Sequence, residues 1–386
     1  MDAFREPPLR RARRQMTTVP AAVRNGRARA KATPAPPRVD GRALRDLLAT
    51  AAADVALVEV PVDRPPWTDT PLAVRAGDRV TWLSWGRAYL VKPLAIGVPA
   101  GLDLICRTGG GRPHQGSRDT MTVTADGDGP LRVACRFPGW LREDGTLGTD
   151  RIPYRVKAGQ VSAVLVRWPP GVEPAGVLAE LAPRDPSGLC AAEAARLAEP
   201  PSPPEGWHHH PWTPHGEIFE ANDRGGISAD CRDGGGILRR PVDVALTPTL
   251  RLRWRWRIDE LPSALPEDTA LTHDYLSVAL EFDDGKDLTW QWSCALPVGM
   301  AYRCPMDYWR RVETHLVARS GSADLGRWVD EDRPVLADHR VAIGGPAPAR
   351  VVRAWLIAVT LHQGGRVRGE FGRIELVDGD QVTRVL

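Results

Sequence analysis

The sequence is poor in phenylalanine and tyrosine, five of each, and its six cysteines include no C-x-x-C pair. Dispersed Cys106, Cys135, Cys190, Cys231, Cys294 and Cys304 do not have the paired-cysteine spacing of a zinc site. They read as buried thiols, or, for Cys294 and Cys304 at the ends of one loop, as a disulfide in an oxidising compartment. No apolar run approaches the roughly 18 residues of a membrane span, so no transmembrane segment is expected. An apolar signal-peptide core is missing as well, which gives a cytoplasmic expectation with non-classical export left open. The motifs G-x-S-x-G, G-x-x-x-x-G-K, G-x-G-x-x-G and H-E-x-x-H do not occur. The commonest hydrolase, NTPase, dinucleotide and zincin readings go with them.

Charge is unevenly spread. Net charge is +3, yet residues 1–37 hold nine Arg and Lys against two acids, which leaves about −4 for the rest. The folded part is therefore no basic platform, and no nucleic-acid partner is expected. Residues 1–40 read as a disordered basic arm, either a solvated tail or a docking segment. At 386 residues the chain suggests two domains.

The strongest pattern is at residues 250–258, Leu-Arg-Leu-Arg-Trp-Arg-Trp-Arg-Ile. Strict period two marks a strand with one buried and one polar face. Residues 274–282 and 288–294 repeat the pattern, and Asp-Asp-Gly-Lys at 283–286 between them is hairpin-turn chemistry. Trp254, Trp256, Trp290 and Trp292 fall on the apolar phase and are expected in the core. If the three strands are neighbours, their polar phases combine into one surface.

Upstream, residues 41–53 have helical spacing, and strands are expected at 55–60, 72–74, 78–84, 121–124, 131–135 and 160–168. Downstream, they are expected at 217–221, 227–230, 236–239, 314–319, 354–361 and 370–377. Short strands with Gly- and Pro-rich turns mean an all-β chain of two β-sandwich or jelly-roll domains. Pro-rich brackets around one short Ala-rich helix make 169–206 a linker. The domains are then 41–168 and 207–386. Residues 207–215, Trp-His-His-His-Pro-Trp-Thr-Pro-His, invite a metal reading, but no acidic or cysteine partner sits at ligand spacing.

Val60-Pro-Val-Asp63, Trp67-Thr-Asp-Thr70, Ala76-Gly-Asp-Arg-Val80 and the 145–150 loop resemble the calcium-dependent galactose-binding bacterial lectins of the PA-I type. That resemblance implies a jelly roll whose Ca²⁺ is completed by sugar hydroxyls. Thr146 stands at the family's threonine, Thr149 and Asp150 where paired asparagines belong, and Tyr89 as the counterpart of a backbone carbonyl donor. The leading aspartate falls on Arg142, with Glu143 and Asp144 adjacent. A Ca²⁺ set of Tyr89, Asp144, Thr146 and Asp150 is the expectation, since hard cations take oxygen ligands.

The second half resembles the uncharacterised DUF3047 family. The resemblance is carried by the 250–259 run, His273-Asp-Tyr275, Val278-Ala-Leu-Glu-Phe282, Trp290-Gln-Trp-Ser, Leu296-Pro-Val-Gly299, Arg319-Ser-Gly321, Trp328-Val-Asp-Glu-Asp-Arg333, Leu336-Ala-Asp338 and Gly372-Arg-Ile374. It implies a jelly-roll sandwich like those of carbohydrate-binding modules, without a settled activity.

Candidate ligand-binding residues are Arg253, Arg255, Gln291 and Arg319 on the polar phase, with Trp309 and Trp328 as stacking groups in loop-like segments. Candidate catalytic residues are Glu281 with His315 or Asp283, for general acid–base work. Three readings stay open: a non-enzymatic binder of carbohydrate or another hydroxyl-rich ligand, a glycan hydrolase or lyase, and a structural or cargo component docking through its basic arm.

Overall fold

Alternating apolar residues need a second layer to cover them, and the chain supplies two such pairs of layers. The computed structural model describes residues 8–32, 38–52, 54–115, 118–136, 144–147, 151–200, 202–210, 218–306 and 309–386. They divide into two compact units, one of residues 27–202 and one of residues 8–26, 203–210 and 218–386.

In the first unit, one sheet runs Asp54–Val60, Ala158–Arg167, Arg79–Val91, Ile96–Pro99, with Thr120–Thr124 also on Arg79–Val91. The other runs Thr68–Val74, Gly129–Cys135, Leu104–Thr108, Pro113–Gln115. Trp82, Leu104, Cys106, Leu131, Val133 and Leu165 fill the space between them. The larger sheet is apolar on its outer face too, through Leu83, Val164 and Val166. Helices Gly41–Ala49, Pro174–Leu181 and Leu189–Ala198 cover that face with Leu44, Leu48, Leu178, Leu181 and Cys190. The linker expected at 169–206 is corrected accordingly. Its prolines punctuate two helices, and their apolar faces are buried against the sheet rather than left in a free tether.

The second unit is a larger sandwich. Its seven-stranded sheet has the order His208–His209, Gly235–Ala245, Arg350–Val359, Tyr275–Phe282, Asp287–Ser293, Glu313–Ser320, Ala301–Arg303. The six-stranded sheet runs Phe219–Ala221, Ile227–Arg232, Arg366–Asp378, Arg251–Glu260, Trp328–Pro334, with Gln381–Arg384 on Arg366–Asp378. The expected hairpin is present, with Leu276 opposite Trp292 and Gly285 at φ +76° in its turn. The four tryptophans are buried between the sheets, Trp254 facing Trp290 at 6.2 Å and Trp256 facing Trp292 at 5.5 Å between ring centroids. Large apolar side chains each stabilise the fold by about 1.5–3 kcal/mol when buried.

One expectation fails here. Arg251–Glu260 is not a neighbour of the hairpin but lies in the opposite sheet. Period two specifies which face of a strand is buried, not which sheet the strand joins. Residues 261–274 carry the chain from one layer to the other.

The arm expected to be disordered is also corrected. Pro8–Ala32 is a helix, despite Pro20 within it. Its Ala and Arg content favours helix. Arg14 and Gln15 anchor it to Asp268.

Candidate functional site

The outer face of the seven-stranded sheet is unusual because it is polar and buried. Inward alternation of Leu276, Val278, Leu280, Trp290, Trp292 and Leu316 forces the intervening residues outward. Those are Tyr275, Ser277, Thr289, Gln291, Glu313 and His315, and all are buried. Glu281, Asp287 and Glu313 stand opposite one another across three strands. Two residues further along, Thr289, His315 and Tyr302 form a parallel row.

At its centre His273, Cys304, Glu313 and His315 converge, their donor atoms all within 4.8 Å of one another. The Nδ1–H of His273 donates to the Glu267 carbonyl at 2.8 Å. His273 Nε2 then faces Cys304 Sγ at 3.3 Å. The Nδ1 of His315 lies 3.0 Å from Gln291 Oε1, which also accepts from the Tyr302 hydroxyl at 3.0 Å. Tyr302 stacks on His315 with 4.9 Å between centroids and 10° between planes. Hydroxyls of Tyr275 and Thr289 donate to Glu313 Oε1 at 3.1 and 3.2 Å. Ser277 Oγ, Gln291 Nε2 and His315 Nε2 are buried with no hydrogen-bond partner among the described residues.

Burial sets the protonation states. It lowers His273 to about 3, with His315 contributing, so that imidazole is neutral. Burial would raise Glu313, but His315 beside it outweighs burial and holds it at about 2, a carboxylate. Asp287 is pushed well up by burial and by its neighbours Glu313 and Glu281. Cys304 is raised by burial and by Glu313, so the cluster presents no ready thiolate nucleophile. The thiol of Cys304 meets His273, and both Cys304 and Cys294 are free.

The residues singled out from sequence fall into separate groups. His315 and Gln291 lie in this buried layer. Trp309 is half-buried beside His210 and Trp355, at 5.9 and 6.3 Å. Glu281 shares the sheet face but is ion-paired with Arg353 at 2.5 Å. Exposed Asp283 accepts from the Ala349 amide at 3.1 Å. The proposed catalytic trio is thus not brought together by these contacts. Arg253, Arg255 and Trp328 lie on the outer face of the other sheet, so the single polar surface expected from the three runs is two surfaces on opposite sides of the sandwich. Arg319 sits at the rim, paired with Glu331 at 2.7 Å and Asp324 at 3.2 Å.

In the first unit Asp144 Oδ1 accepts from the Thr146 amide and hydroxyl at 2.8 and 2.7 Å, and Leu147 packs on Ile105 and Ala134 of the smaller sheet. Tyr89 belongs to the larger sheet, paired with Gly97 and Ala158. Asp150 lies outside the described residues, as do Glu143 and Thr149. In the histidine-rich stretch, His208 and His209 pair with Gly235–Ala245 and His210 packs against Trp355 with ring centroids 4.9 Å apart and planes tilted by 36°. The end of that stretch, residues 211–215, lies outside the described residues.

Sequence reasoning missed His273, Cys304 and Glu313 as partners of His315. One signal was present: Glu313-Thr-His315 places two donor groups on one face of a strand by period two. Nothing local points to Cys304 or His273, which arrive from separate loops.

Residues 206–375 match the family described as protein of unknown function (DUF3047). No curated protein matches the chain. Among solved structures, the EclA N-terminal domain, a PllA-like lectin, is 15% identical and covers 30% of this chain and 99% of its own, with a TM-score of 0.24. The xyloglucanase domain of NopAA, a type three effector from Sinorhizobium fredii in complex with cellobiose, is 8% identical, covering 45% and 93% at TM-score 0.26. The N-terminal CBM22-1–CBM22-2 tandem of Xyn10C from Paenibacillus barcinonensis is 12% identical, covering 85% and 92% at 0.22. The DUF3047 region coincides with the larger sandwich and includes every member of the buried cluster.

Proposed function

We propose that the protein is a non-enzymatic binder of carbohydrate or another hydroxyl-rich ligand, acting through the outer face of the six-stranded sheet in the DUF3047 region. The observation that carries this is the Trp328 platform. Trp328 stands opposite Arg257 in the strand register. Its ring lies 5.1 and 5.7 Å from the Arg255 and Arg257 guanidiniums. A Cβ added at Gly372, on the strand beyond, would meet the indole at 3.3 Å and Arg255 at 2.7 Å. The indole therefore reaches across the Arg251–Glu260 strand, and the glycine leaves it room.

Around this aromatic surface, donors and acceptors alternate. Arg253 pairs with Asp332 at 3.2 Å, Arg255 with Asp330 at 3.7 Å, and Arg257 with Asp259 and Glu370 at 3.0 and 2.6 Å. Guanidinium forks and carboxylates complement vicinal hydroxyls, and an indole complements the C–H face of a sugar ring. These ion pairs are partly exposed and contribute little to stability, so a ligand displaces them at small cost.

The test is a glycan array on the full chain, with Trp328→Ala and Arg255→Ala beside it. The expected result is retained saccharide hits for the parent and at least roughly tenfold weaker binding for Trp328→Ala. A blank array, or hits that Trp328→Ala leaves unchanged, refutes the proposal. An EDTA arm addresses the proposed Ca²⁺ loop separately. Calcium-dependent hits that survive Trp328→Ala would place binding in the first unit.

A further inference from the structure

We propose that His273, Cys304, Glu313 and His315 form a closed binding site for one divalent transition-metal ion of the zinc class. His273 uses its Nδ1–H on the Glu267 carbonyl, so Nε2 is an acceptor aimed at the cluster. His315 directs Nδ1 at Gln291 Oε1, which is already accepting from Tyr302, so its Nε2 is an acceptor as well. That Nε2 is fully buried, lies 3.3 Å from Glu313 Oε1, and makes no hydrogen bond. With the ring neutral, two acceptors facing each other in a dry interior repel unless a cation, whether a proton or a metal ion, lies between them.

The surroundings match what a metal centre needs. Each imidazole is oriented by a partner on its other nitrogen, and Glu313 is fixed by Tyr275 and Thr289. Tetrahedral zinc, with bonds of about 2.0–2.3 Å, holds its donors roughly 3.3–3.8 Å apart. The contacts His273 Nε2 to Cys304 Sγ and His315 Nε2 to Glu313 Oε1 are both already 3.3 Å. One thiolate and one carboxylate neutralise a divalent ion, which lets the centre sit in a low-dielectric interior without net charge. Binding forms the metal–sulfur bond, and the thiol proton passes to solvent. Mixed sulfur, nitrogen and oxygen donors favour zinc-class ions over Ca²⁺, which takes six to eight oxygens. Four protein ligands, all buried, leave no open position and make the site structural.

The experiment uses the full chain, stripped of metal and reconstituted with Zn²⁺ or Co²⁺. The expected result is about one ion per chain, and a Co²⁺ form whose near-ultraviolet thiolate charge-transfer band disappears in Cys304→Ser. Gln291→Leu, outside the ligand set, should weaken binding by about 10–100-fold. Cys294→Ser and a His208, His209 and His210 triple alanine variant should bind as the parent does. Absence of a stoichiometric ion, or a Co²⁺ spectrum of the parent without the thiolate band, overturns the assignment whether or not the variants fold. Metal lost in the triple alanine variant but kept in Cys304→Ser overturns it too.

Discussion

Removing the Arg14 side chain should detach a helix rather than strand a charge. Asp268 is fully buried, and its partners among the described residues are Arg14 at 2.5 and 2.9 Å, Gln15 at 3.2 Å and Arg11 at 3.6 Å. All three lie on the helix Pro8–Ala32. Breaking a buried pair by deleting one partner costs about 3–5 kcal/mol when the remaining charge stays buried. Here the cover can leave. Residues 8–26 bury only Thr18, Ala22 and Gly26 within the described segment, and Pro20 removes one internal hydrogen bond. Their apolar burial is worth about 1–2 kcal/mol. Undocking is thus cheaper than leaving Asp268 unpaired, and the cost of Arg14→Ala is capped at the docking energy. The assay is hydrogen exchange with chemical denaturation on Arg14→Ala and on a variant lacking residues 1–26. Both should lose about 1–2 kcal/mol, and Arg14→Ala should lose amide protection over 8–26 alone. If Arg14→Ala costs clearly more than the deletion, the helix has stayed in place over an unpaired Asp268 and the reasoning is wrong.

Further predictions concern the cores and one pH-dependent cap. Trp290 donates from Nε1 to Asp338 at 2.8 Å, whereas Trp254 Nε1 has no partner among the described residues. Urea denaturation should therefore show Trp290→Phe costing about 1 kcal/mol more than Trp254→Phe, the net worth of one hydrogen bond. Asp185 accepts from the Cys190 amide at 2.8 Å and the Ser187 amide at 2.9 Å at the start of Leu189–Ala198. Burial would raise its pKa, but these bonds and the Ser187 hydroxyl outweigh burial and lower it. A lowered folded pKa means the stabilisation is present above the ordinary aspartate value of about 3.9 and is lost as pH falls through the folded value. Asp185→Ala should cost about 1–2 kcal/mol at pH 7, and less below pH ~3 by thermal denaturation. An unchanged difference at low pH would count against the cap.

Much of the architecture could be read from the alternation. The 250–258, 274–282 and 288–294 runs, their turn and the inward tryptophans are all as the period-two pattern requires. Sheet membership could not be read, because the two sheets of a sandwich bury the same kind of face toward each other. That is why Arg253 and Arg255 were grouped with Gln291 and His315. The Ala-rich helix at 189–198 was legible, but the one at 174–181 was obscured by prolines that serve as helix starts and turns. Pro8–Ala32 was obscured by its positive charge, since its anchor, Asp268, lies about 250 residues away. The buried cluster was the least legible of all. His273 and Cys304 come from loops, and only the fold brings them to Glu313 and His315.

The two outer faces of the larger sandwich arise from the same alternation and end in opposite environments. On the six-stranded sheet each arginine meets a carboxylate across or along the strand, Arg253 against Asp332 and Arg257 against Glu370, and the face remains solvated. Such a face needs no cover, so it is free to meet a ligand. On the seven-stranded sheet the outward residues are Ser277, Gln291, Glu313 and His315, and all are buried. Burying polar groups costs free energy unless each finds a partner. Glu313 is served by Tyr275 and Thr289 and meets His315 Nε2 at 3.3 Å, but Gln291 Nε2 and Ser277 Oγ have no hydrogen-bond partner among the described residues. An apolar layer would cover the same sheet at lower cost, as Trp355, Ile357 and Ala279 do beside it. Stability alone therefore does not account for this layer, whereas the proposed divalent ion would account for the convergence of His273, Cys304, Glu313 and His315 within it.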